Sequence, residues 1–180
     1  MNRIQARRRQ RGVALSVVLI LLVIMTLLAL AGMRGTLLEE KMSSNVLDRE
    51  LQFQAAEAAL RAGEADASTR PLPAAGTGCV KGICSKPDPA VAGDTQRWLA
   101  ANFWADASGT WKEATVNIDN QTTKPRYIVE LLDDAVPNWP GCDQEVPVNA
   151  SCLTPRYRIT ARSTAPGRSE VILQSNYAAP

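Results

Sequence analysis

Histidine is absent from this 180-residue chain. Its absence removes the commonest general base at neutral pH and the commonest metal ligand. Aromatic residues make up only 5% of the sequence, and no proline occurs before Pro71 although eleven are present. All but three of the eleven glycines also lie beyond residue 62. A long stretch without the principal helix breaker, followed by one punctuated with it, points to a long helix and then a loop-rich, partly β globule. Acidic residues are missing from the first twelve positions, which hold Arg3, Arg7, Arg8, Arg9 and Arg11. The formal charge of +2 therefore misleads, because removing those five arginines leaves about −3 for the remainder. Such a remainder offers no basic surface to phosphates, so no nucleic-acid partner is expected. Cysteine is confined to Cys79, Cys84, Cys142 and Cys152. An even number in a segment that leaves the cytoplasm reads as two disulfides, with three connectivities open. Pairing of neighbours, Cys79 with Cys84 and Cys142 with Cys152, is preferred because each pair brackets its own loop bearing proline or glycine. No serine, cysteine or carboxylate has a recognisable catalytic partner, so neither an enzyme nor a cofactor is expected.

What is present first is an apolar run. Val13 to Met33 reads VALSVVLILLVIMTLLALAGM, without a charge. As a helix it spans about 31 Å, enough to cross the hydrocarbon core of a bilayer. Ser16 and Thr26 are its polar exceptions, and both can hydrogen-bond back to their own helix. The arginines ahead of it hold the N-terminus in the cytoplasm and send the rest across the inner membrane. Three readings stand. Ala29-Leu30-Ala31 fits a secretory cleavage pattern. The run also suits an uncleaved single-pass anchor. The third reading uses more of the residues: a basic leader, 1–12, ends in Arg11-Gly12 directly against the helix. This resembles the signal of prepilins, whose dedicated peptidase would cut between Gly12 and Val13 and leave the helix on the mature protein, with its new amine methylated.

Helix-forming sequence continues over 34–66. Leu38, Met42, Val46, Phe53, Ala56 and Leu60 recur at three- to four-residue steps, while Glu39, Glu40, Lys41, Asp48, Glu57 and Arg61 take mostly other directions. A single membrane span needs no such extension, whereas a subunit packing its helix into a filament core does.

The segment from Arg34 through Thr36-Leu37-Leu38-Glu39-Glu40-Lys41-Met42, followed by Phe53-Gln54-Ala55-Ala56-Glu57-Ala58-Ala59-Leu60-Arg61, resembles the N-terminal domain of PilX-type minor pilins. The similarity covers roughly residues 9 to 64, and the closing segments around 157–164 and 170–175 are similar to that family's final hairpin. The resemblance implies a minor pilin that helps initiate type IV pilus assembly within a tip complex, supporting twitching motility and adhesion. It implies as partners other minor pilins, the major pilin, a large tip adhesin and the prepilin peptidase. It places the protein in the inner membrane with a periplasmic domain, then in the pilus near its tip. One departure stands out: pilins generally carry glutamate at the fifth mature position, where this chain has Val17. A minor pseudopilin of a type II secretion system, and a plain membrane-anchored periplasmic domain, are the alternative readings.

The expected fold is α+β and pilin-like: the long helix packed on a small antiparallel sheet, with the globular domain over 67–180. Residues 67–97 read as an irregular excursion pinned by Cys79 and Cys84, and Asp94-Thr95 as the cap of a short helix bearing Trp98, Leu99, Phe103 and Trp104. Strands are expected at Glu113–Ile118, Arg126–Leu132, Arg156–Arg162 and Glu170–Asn176. In the third, Tyr157, Ile159 and Ala161 point inward and the arginines outward. A polar loop, 133–155, separates the middle strands and holds Asp133, Asp134, Trp139, Asp143 and Glu145. Its acids lack the spacing of a calcium loop, and the cysteines lack that of a zinc site, so no metal is expected.

Overall fold

The computed structural model describes residues 12–73, 78–116, 124–144, 146–149 and 151–179, with the backbone alone over 34–37. The expected leader other than Gly12, the end of the strand expected at 113–118, and Glu145 lie outside the described residues. Contacts divide the chain into two units, one ending at Val46 and the other running from Leu47 to Pro180.

One helix, α1, occupies Val13–Ser68. In the first unit every side chain from Val13 to Met33 is exposed, and α1 is long and apolar enough there to cross a membrane. Ser16 Oγ donates to the Gly12 carbonyl at 3.4 Å and Thr26 Oγ1 to the Val23 carbonyl at 2.9 Å. Each hydroxyl is thus satisfied within the helix, as a span in hydrocarbon requires. The far end of α1 closes chemically as well. Thr69 Oγ1 donates to the Asp66 carbonyl at 2.7 Å, and the Arg70 N–H to that of Ala67 at 3.0 Å. Arg70 takes a left-handed conformation, φ 53, and Pro71 then forbids continuation.

In the second unit, six strands form one sheet: β1 (Cys79–Val80), β2 (Ile83–Cys84), β3 (Lys112–Glu113), β4 (Arg126–Pro137), β5 (Leu153–Ser163) and β6 (Val171–Ala178). The order is β1-β2-β4-β5-β6, with β3 also pairing β4. The three long strands make the expected antiparallel meander, but β2 joins β4 in parallel, so the sheet is mixed rather than wholly antiparallel. The strands also reach further than their alternation indicates. With β4 running to Pro137 and β5 starting at Leu153, the expected loop 133–155 shortens to 138–152. Ladder pairs such as Asp133 with Arg156 and Val136 with Thr154 extend the strands across two irregularities in register. Backbone pairing here outlasts the hydrophobic pattern.

The helix lies on one face of this sheet, and its covering stripe is smaller than the apolar periodicity predicts. Ala55, Ala56, Ala59 and Ala67 are buried, and a Cβ on Gly63 would meet Ile159 Cγ2 at 2.5 Å. Phe53, expected in the stripe, is 43% exposed. The sheet supplies the bulk instead, through Tyr127, Val129, Tyr157, Ile159 and Ala161. A helix bearing small residues approaches closely enough for those large side chains to fill the space without voids.

The other face of the sheet is covered too. Cys84, Trp98, Trp104 and Ile128 form a second core, with Phe103 and Trp111 packed against it. The segment bearing Trp98, Phe103, Trp104 and Trp111 thus forms a third layer. Its 3-10 turn at Asp94–Leu99 follows Gly93, whose φ of 81 is left-handed, and no side chain caps it. The Asp94 carboxylate instead accepts the Asp88 N–H at 2.7 Å and pairs with Arg97 at 2.9 Å.

Candidate functional site

Gly12 immediately precedes the first helical residue, Val13, and both are exposed. Val17 lies one turn further on and is 48% exposed, within a run from Val13 to Met33 whose polar side chains are Ser16 and Thr26. These three residues belong to the first unit and all four cysteines to the second. The structure joins Cys79 to Cys84 across the β1–β2 hairpin, and Cys142 to Cys152 across the β4–β5 loop. Both members of the second pair are fully buried.

Asn138 organises the root of that loop. Its N–H donates to the Cys152 carbonyl at 2.8 Å, its Nδ2 to the Ser151 carbonyl at 2.8 Å, and its Oδ1 accepts from Thr154 and Arg156. Trp139, Val146 and Val148 are exposed along the loop. The acids do not converge there. Asp133 sits on β4 and pairs with Lys86 at 3.2 Å, and the Lys86 ammonium holds its carboxyl below the usual range. Among the described residues no three metal-ligating side chains come together.

Polar groups also tie α1 to the sheet. Gln52 Oε1 accepts from Ser163 Oγ at 2.7 Å in a fully buried contact. Glu64 accepts from Ser175 at 2.8 Å. Asp66 accepts the Tyr127 hydroxyl at 2.7 Å and Lys112 Nζ at 2.6 Å. Burial first, and then the hydrogen bond to Asp66 and its charge, push the Tyr127 hydroxyl up to about 12. Asp48 accepts the Ser169 N–H at 2.7 Å, the Ser169 hydroxyl, and Arg168 Nη1 at 3.0 Å. Those bonds, Ser169 foremost, hold the Asp48 carboxyl below its ordinary value.

Sequence reasoning places the β5 arginines in solvent, and the structure corrects this. Glu130, fully buried on β4, accepts Arg158 Nε at 2.7 Å and meets Arg97 at 3.0 Å. The Arg97 Nε–H itself is aimed at the Asp94 carbonyl, 3.1 Å away. Burial pushes the Glu130 carboxyl up, and the Arg158 and Arg97 charges pull it back. Arg158 also lies 4.3 Å from the Trp98 ring centre and Arg126 3.8 Å from that of Trp111. Guanidinium groups stack on aromatic faces, so an arginine-bearing face can be an interior one. The co-occurrence of Trp98, Trp104 and Trp111 with an arginine alternation is the signal that would have found it.

Residues 11–61 match the family model described as PilX N-terminal, and residues 62–179 match the one described as Type IV pilus assembly protein PilX C-term. No curated protein and no solved structure matches the chain.

Proposed function

The chain belongs to the PilX family of type IV pilus assembly proteins, and from that premise we propose that it is a minor pilin which helps initiate pilus assembly within a tip complex. The family is structural rather than catalytic, and its N-terminal apolar helix fits membrane anchoring. The observation that carries the reading is α1 itself. Its first unit exposes apolar side chains on every side, while its last turns are committed to the protein's own sheet. Such a surface is stable only in lipid or against other apolar helices. A subunit that begins in the inner membrane and ends in a filament meets both environments in turn.

On this reading the prepilin peptidase cuts between Gly12 and Val13, the new amine is methylated, and the periplasmic domain joins other minor pilins, the major pilin and a large tip adhesin. Twitching motility and adhesion follow from the pili so initiated. The test is mass spectrometry of the mature N-terminus together with a count of pili after gene deletion. A mature chain starting at Val13 and fewer pili of unchanged shaft architecture are expected. A chain starting at Gly32, or the subunit found at high occupancy along the shaft, would overturn the proposal.

A further inference from the structure

Arg126 and Arg162 stand directly opposite each other on β4 and β5. Like charges in that relation repel, and cross-strand pairs ordinarily avoid it. Further along the same ladder Glu130 faces Arg158, the usual opposite-charge arrangement. The arginine pair instead forms the wall of a cavity of about 360 Å³, lined by Lys124, Arg126, Arg162, Thr164, Ala165 and Pro166. Among the described residues no acid lines it.

Both guanidinium groups are held in place without a ligand. Arg126 stacks on Trp111 and its Nη1 donates to the Trp104 carbonyl. Arg162 lies 5.8 Å from the Trp104 ring centre. Their ionic partners, by contrast, are at the surface: Asp106 on Arg126 is 85% exposed and Glu170 on Arg162 is 47% exposed. Lys124 reaches Glu113, 41% exposed, at 3.5 Å. The single-contact pairs to Asp106 and Glu113 are of the kind that contributes little. Glu170 occupies Nε and Nη2 of Arg162, so Nη1 lies outside that fork.

We propose that this cavity binds a small carboxylate-bearing ligand of monosaccharide size, a hexuronate, through Arg126 and Arg162 with Lys124 at the rim. The planar guanidinium matches a carboxylate in shape and hydrogen-bonding pattern. Among the described residues each of the three cations already has one carboxylate partner, so a bound anion competes with those carboxylates and adds its own charge, which favours a monoanion over a dianion. The volume lies at the lower end for small-molecule sites, and a lone acidic side chain would leave most of it empty. The site is independent of the role in pilus initiation.

The experiment titrates the full chain in detergent micelles, labelled at the tryptophan indoles, with sodium glucuronate. Glucose, N-acetylglutamic acid α-amide and sodium chloride at matched ionic strength are titrated alongside. The Trp104 and Trp111 indole signals are expected to move saturably with glucuronate and not with glucose or chloride. Arg162→Gln is expected to raise Kd about tenfold, the equivalent of one charge-assisted hydrogen bond. Lys124, 71% exposed, can be changed without threat to the fold, and Lys124→Gln should weaken binding in the same direction. Tighter binding of the glutamate amide than of glucuronate would overturn the sugar assignment. Shifts equal to those with chloride, or unchanged in both variants, would overturn the site itself.

Discussion

Gly63 on α1 stands so close to Ile159 on β5 that an added Cβ would lie 2.5 Å from the isoleucine Cγ2 and 3.1 Å from Tyr127 Cδ2. The helix can approach the sheet only where its residues are this small. Replacing an internal helix glycine with alanine ordinarily stabilises by about 1 kcal/mol. Here that gain is expected to be reversed. Gly63→Ala should lower the unfolding free energy, and Gly63→Val should lower it by about 1–3 kcal/mol, the usual range for overpacking a core. Chemical denaturation followed by tryptophan fluorescence measures this, and an unchanged or raised midpoint in Gly63→Val would contradict the close approach.

Glu130 joins the sheet to the tryptophan-rich layer through Arg97 and Arg158. Arg97 is only 6% exposed, so deleting the carboxylate strands a charge away from water. Glu130→Ala is expected to cost about 3 kcal/mol, the lower end for breaking a buried pair, because Arg97 keeps Asp94. Near-ultraviolet circular dichroism should show the tryptophan signal falling before the far-ultraviolet signal does. A loss too small to resolve would mean that the three side chains do not act as a unit.

Acid should loosen the β5–β6 turn from the helix. The carboxyls of Asp48 and Asp133 are held below their ordinary values by Ser169 and Lys86 respectively. A carboxylate depressed in the folded state stabilises above its unfolded value, about 3.9, and that contribution disappears as pH falls through the folded value. Stability should therefore decline below about pH 4, and Asp48→Asn should flatten the decline while lowering stability at neutral pH. An unaltered acid profile in Asp48→Asn would assign the loss elsewhere.

The cysteines should be found as two local bridges, Cys79–Cys84 and Cys142–Cys152. Each closes a short loop, so each is worth about 2–3 kcal/mol on the loop-entropy scale. Peptide mapping without reductant decides it: any peptide linking residue 84 to 142 or 152 rules the pairing out.

With cleavage between Gly12 and Val13, as proposed, Val17 would leave the fifth mature position without a carboxylate. In a filament a glutamate there would offset the amine of an adjoining subunit, and a buried carboxylate without such a partner is costly. A subunit with no neighbour on the tip side is therefore expected to tolerate an apolar residue. Val17→Glu should reduce the number of pili. Normal assembly of the variant, with the wild-type subunit found several places below the tip, would defeat the argument.

Much of this architecture is written in local pattern. The absence of proline before Pro71 and the arginine-bounded apolar run mark α1, and the alternation at Tyr157, Ile159 and Ala161 identifies the buried face of β5. Other features resist a local reading for physical reasons. The stripe of α1 is made of alanines and Gly63, which carry almost no hydrophobic signal, while Phe53 carries a strong one and stays outside. β1, β2 and β3 are two residues long, too short for any period to show. β2 and β3 pair with β4, more than forty positions from Ile83, and β1 joins the sheet through β2. The arginines on β5 alternate as a wet face does, and only the distant Trp98 and Trp104 turn that face inward.

Neither disulfide connects α1 to the sheet. A pull along the helix axis therefore reaches the globular part through the backbone beyond Ser68 and through the side-chain contacts ahead of it, from Asp48 through Gln52 and Glu64 to Asp66, over about five turns. Contacts set side by side along the direction of pulling share the force and must slip together, unlike contacts that peel apart one after another. Resistance to such a pull is therefore expected to lie in a shear seam of small residues and polar ties, and opening both bridges with a reductant removes none of its contacts.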